Sequence, residues 1–62
     1  MYLKIAESKS GNVYVALGYI KYDLFIGLTY DKRNILDYLD TIGYDVPRET
    51  NGELKVGLYE IN

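Results

Sequence analysis

Only one segment of this chain repeats its apolar residues at the helical period, and that limits the fold more than any other feature. Ile35, Leu36, Leu39 and Ile42 fall at i, i+1, i+4 and i+7, a single stripe on a 3.6-residue repeat. Asp31 (or Thr29) stands before the stripe, where a side-chain oxygen can cap exposed backbone N–H groups. Gly43 follows it, where a left-handed residue ends a helix, and Tyr44 is placed to fold back on the last turn. The spacing predicts one helix between these signals.

The remaining apolar segments alternate with the period of a strand. Tyr2 to Glu7 reads as a first strand, followed by turn chemistry in Ser8-Lys9-Ser10-Gly11-Asn12. Val13 to Tyr22 is rich in β-branched and aromatic residues and reads as a second strand. Asp23 breaks the chain before a third, Leu24 to Tyr30, although a turn at Gly18 would shorten the second. After the helix, Asn51-Gly52 is a strong hairpin signal ahead of a final strand, Leu54 to Ile61. Val46 to Thr50 can pair across that turn, with Pro47 confining it to a sheet edge. The order β-β-β-α-(β)-β is an α+β domain, an antiparallel sheet of four to five strands with one amphipathic helix on one face.

Three strands share a short pattern: Val15-Ala16-Leu17, Ile26-Gly27-Leu28 and Val56-Gly57-Leu58. Alternation then assigns Val15, Leu17, Ile26, Leu28, Val56 and Leu58, with Leu3 and Ile5, to the helix-facing side. The opposite face receives Tyr14, Ala16, Gly18, Phe25, Gly27, Thr29 and Gly57, bordered by Tyr59 or Tyr2. Three of the six glycines have turn or cap explanations; Gly18, Gly27 and Gly57 lie within strands. Two accounts of these three are open. Neighbouring rings fold over them and the sheet bulges, or the small-residue face receives another chain. Tyrosine suits the second account, because its ring buries area while its hydroxyl tolerates water.

Size sharpens the question of what covers that face. The chain has 62 residues, enough for a single domain, and its 48% apolar content includes eight tyrosines. There is no cysteine, histidine or tryptophan. Disulfides, Cys/His zinc sites, thiol nucleophiles and imidazole bases are therefore excluded. Small domains without such staples lean on very good packing or on a second subunit, so a homodimer is expected.

Few motifs point to chemistry. No glycine-rich phosphate loop or nucleophile elbow is present. Asp37 and Asp40 lie i, i+3 on the helix, where two acids more often form a solvated face than a catalytic pair. Ser8-Lys9-Ser10 reads as loop. Lys32 and Arg33 sit against the helix dipole and can meet an anion or an acidic partner, while Arg33 and Asp37 can pair at i, i+4.

The net charge of −2 is too small and of the wrong sign to drive binding to nucleic acid. Residues 31–53 carry six acids against three bases, which points toward a basic partner surface or simple solubility. Lys4 and Glu7 interrupt the start, and no run reaches membrane length, so a cytoplasmic protein is expected. The expected function is non-catalytic, without metal or cofactor. It is a protein-binding domain, an inhibitor or adaptor, acting through Tyr14, Gly18, Phe25, Gly27, Gly57 and Tyr59 or through the acidic helix side at Asp37 and Asp40. The alternative is single-stranded nucleic acid, a small ligand or a nucleotide on the aromatic face.

Overall fold

The structure is a computed structural model that describes residues 1–61. Within them the chain forms β1 (Tyr2–Glu7), β2 (Val13–Lys21), β3 (Leu24–Thr29), α1 (Lys32–Thr41) and β4 (Gly57–Glu60). The four strands make one antiparallel sheet in the order β3-β2-β1-β4, and α1 lies on one side of it. This is the α+β sandwich read from periodicity, at the smaller of the two strand counts.

Local chemistry sets both ends of α1. The Asn34 backbone N–H donates to Asp31 Oδ1 at 3.3 Å, which makes Asp31 the N-cap. At the other end Gly43 takes φ +78, its N–H donates to the Asp40 carbonyl, and the Tyr44 N–H donates to the Leu39 carbonyl. Those two bonds form a Schellman motif and satisfy carbonyls the helix leaves free. Ile35 and Leu39 are buried as the stripe requires. Ile42, the C-cap, is exposed, so the last member of the stripe lies outside the core.

The core joins Leu3 and Ile5 of β1, Val15 and Leu17 of β2, Ile35 and Leu39 of α1, and Leu54 and Ile61 near the chain's end. Val13, Tyr44, Val46 and Tyr59 pack around it. No polar or charged side chain is buried among the described residues, so apolar contact dominates this layer.

Two expectations need correction. The final strand begins at Gly57 instead of Leu54, and the pairing left open for Val46 to Thr50 comes down to a single antiparallel bridge, Arg48 to Leu54, across the Asn51-Gly52 turn. Pro47 lacks an N–H, and Leu54 turns into the core instead of extending a ladder. The second correction concerns faces. Ile26, Leu28, Val56 and Leu58 were expected in the core and are all exposed.

For β4 the physical reason is register. Leu3 pairs with Tyr59 and Ile5 with Gly57, so Gly57 and Tyr59 share the helix side, while Leu58 pairs with Lys4 on the other face. A one-residue difference in pairing inverts every side chain of a strand. For β3 the reason is coverage. Ile26 pairs with Tyr19 on the helix side, but β3 is the outermost strand and the buried cluster draws nothing from it.

Candidate functional site: the open face of the sheet

The candidate site is the sheet face opposite α1. Antiparallel pairing places Tyr2 opposite Gly18, Lys4 opposite Ala16 and Ala6 opposite Tyr14 on this side. Leu58 joins from β4, and Ile20 with Phe25 from the β2–β3 hairpin. Among the described residues no helix packs here. A shallow groove of about 340 Å³ crosses the face, lined by Ala6, Ile20, Phe25, Val56, Gly57 and Leu58, with Lys4 and Asp23 as its charged members. Ala16 and Gly18, on the same side of the sheet, are buried and do not line it.

The expected site residues divide three ways. Tyr14, Gly18, Phe25 and Gly27 do lie on the open face. Gly57 and Tyr59 lie on the helix side, a correction that follows from the β1–β4 register, although the Gly57 backbone still borders the groove. Asp37 and Asp40 are exposed on α1, in the other layer from the groove. Periodicity did not single out Lys4, Ala6, Ile20, Val56 and Leu58, which line it. The available signal was Ile61: it shares parity with Gly57 and Tyr59 and is buried, which turns Val56 and Leu58 outward.

The three mid-strand glycines are accounted for within the chain itself. At Gly18 the ladder shifts: Leu17 pairs with Thr29 and Gly18 with Gly27, so Leu28 is an extra residue, a bulge. A Cβ at Gly18 would collide with the Ile26 backbone carbonyl. At Gly27 it would strike the Tyr30 ring, and at Gly57 it would sit 2.8 Å from the Tyr59 hydroxyl. Rings fold over two of the glycines, and a backbone approaches the third. Between the two sequence accounts, the intramolecular one holds for the glycines, while no helix covers the face that carries Gly18 and Gly27 among the described residues.

Electrostatics on the groove are light. The Lys4 ammonium stands over the Phe25 ring, 5.4 Å from its centroid, a cation–π pair. A second, more polar cleft of about 420 Å³ lies near the start of α1 and is lined by Lys32 and Arg48 together with Glu7 and Glu53. Two cations facing two carboxylates offer an anion no net attraction, and Arg33 is not part of the lining. No group of three or more potential metal ligands occurs among the described residues. No helix there is long and apolar enough to cross a membrane.

Comparison with protein-family models, curated proteins and solved structures finds no match to this chain.

Proposed function

We propose that this chain is a small non-catalytic protein-binding domain, self-associating and cytoplasmic, which acts as an inhibitor or adaptor by docking a protein partner on the open face of its sheet. The observation that carries the reading is the groove itself. Leu58 is 50% exposed and Val56 54%, beside half-buried Phe25 and Ile20, on a face that α1 does not reach. Clustered apolar side chains with few charges are the pattern of an interface centre.

Nucleic acid or a nucleotide on the aromatic face is the weaker reading. A base would stack on Phe25, and Lys4 already occupies one side of that ring. The acidic helix side is also the weaker protein surface, since the cleft that Asp40 borders there is smaller, about 190 Å³, and shares its lining with Asp45 and Arg48.

Site-specific photocrosslinking in the native cell tests the reading. A benzophenone side chain at position 58 should capture a discrete partner, and the same group at the exposed position 38 on α1 should not. Phe25→Ala should then weaken that complex about tenfold or more, as loss of an aromatic anchor does. Capture from position 38 alone would move the site to the helix.

A further inference from the structure

The two ends of the sheet are built differently. β4 is four residues long, carries Glu60 and follows Lys55 closely. β3 is six residues long, Leu-Phe-Ile-Gly-Leu-Thr, with no charge and no proline. An edge strand presents unpaired N–H and C=O groups, and proteins normally guard such edges with charge, proline or brevity. β4 has two of these guards. β3 has neither charge nor proline, and its one irregularity, the bulge at Leu28, comes near its end.

The side chains of β3 agree with its backbone. Leu24 is 68% exposed, Leu28 57% and Ile26 46%, and Tyr19 beside Ile26 is also exposed. Leu24 and Ile26 project on the helix side, beyond the area that α1 covers. These residues lie outside the groove on the opposite face, so the groove does not account for their exposure.

We infer that β3 is the self-association edge: two copies pair their β3 strands antiparallel about a two-fold axis near Ile26, making one continuous eight-stranded sheet. In that register Ile26 meets its own symmetry mate and Leu24 of one copy faces Leu28 of the other. The two-fold axis runs perpendicular to the sheet, so both helices lie on one side and the exposed leucines and isoleucines fill the space between them. No like charges are brought together within the paired stretch. Tyr19, Leu24, Ile26 and Leu28 offer on the order of 400 Å² per copy before backbone, against roughly 800 Å² per partner in a standard interface. Assembly stops at two, because each copy has one unguarded edge and the contact is isologous.

This assignment deepens the self-association proposed above by naming its strand, and it leaves the open face of both copies free. Sedimentation analysis of the full chain across a concentration series tests it, with circular dichroism as the check on folding. The wild-type chain should pass from monomer to dimer, and Ile26→Lys, which places two ammonium groups together at the axis, should be monomeric throughout. Leu24→Lys, at a more exposed position, should do the same and serves if Ile26→Lys fails to fold. Leu58→Lys, in the groove, should dimerise like wild type. A wild-type chain that stays monomeric, one that grows past the dimer, or a dimer broken by Leu58→Lys but not by the β3 substitutions would each overturn the assignment. Crosslinking from position 58 to another protein reads the groove independently of all three.

Discussion

The ring of Tyr59 lies over Gly57, two residues earlier on the same strand, and its hydroxyl donates to the Lys55 carbonyl at 2.7 Å. The hydrogen bond holds the ring where a Cβ at position 57 would go. The contact is on the core side of β4, so it supports the layer that carries the open face behind it. Gly57→Ala must displace the ring or bend the strand, and overpacking of this kind costs about 1–3 kcal/mol. In a domain this small each kcal/mol lowers Tm by roughly 4–8 °C. Thermal melts should show the loss, and it should shrink when Tyr59→Ala is introduced as well. An equal loss in both backgrounds would mean the ring is not the obstacle.

Gly18 should be the least replaceable of the mid-strand glycines. Its missing side chain faces the Ile26 carbonyl and the Gly27 backbone, which cannot rotate away as a tyrosine ring can. Gly18→Ala should therefore destabilise more than Gly27→Ala or Gly57→Ala, by about 3 kcal/mol or more, through loss of the β2–β3 register. Urea midpoints for the three variants give the ranking directly. If Gly18→Ala proves the mildest, the bulge does not depend on that close approach.

The β2–β3 hairpin stores strain at its tip. Tyr22 and Asp23 have φ of 52 and 62, a left-handed pair that closes the two-residue turn between Lys21 and Leu24. Glycine or asparagine adopts this conformation readily, whereas a left-handed tyrosine costs roughly 1–2 kcal/mol. The Lys21 ammonium, 5.5 Å from the centroid of the exposed Tyr22 ring, returns only about 0.5–1 kcal/mol. The strain exceeds what the cation–π contact returns. Tyr22→Asn combined with Asp23→Gly should raise Tm by several degrees, and a lower Tm would show that the tyrosine makes contacts that offset its strain.

At the start of α1, Asp31 should prove to be a stabilising cap. Its carboxylate accepts from the Asn34 backbone N–H and also from the Asn34 side-chain amide at 3.0 Å. Asp31→Ala should cost about 1 kcal/mol, most visible as lost helical signal in circular dichroism. Arg33, in the first turn of α1 and outside the cleft that Lys32 lines, faces the helix dipole unfavourably, so Arg33→Gln should stabilise by a few tenths of a kcal/mol. The two variants should shift the denaturation midpoint in opposite directions.

The residues around α1 were legible in the sequence because their signals are local. Asp31, the Ile35–Leu39 spacing, Gly43 and Tyr44 each act within one or two helical turns, so their meaning does not depend on distant neighbours. The first hairpin was legible for a similar reason: β1 and β2 each carry a clear alternation, and Leu3, Ile5, Val15 and Leu17 are in the core as read. The candidate site was only half legible. Tyr14, Gly18, Phe25 and Gly27 are on the open face, but Lys4, Ile20, Val56 and Leu58 complete it, and Gly57 and Tyr59 turn the other way.

By itself the sequence determined one helix with its ends, two strands with their faces, and a core closed without disulfides. Only the tertiary structure decided which side of β4 faces α1, and therefore which residues form the groove. The segment before β4 supports either parity, Val56 and Leu58 inward or Gly57, Tyr59 and Ile61 inward, and both sets are apolar enough to bury. Pairing with β1 breaks the tie through contacts some fifty residues apart along the chain. A helix declares its inner face through neighbours three and four residues away. A strand learns its inner face from the strand beside it, and here that strand lies at the opposite end of the sequence.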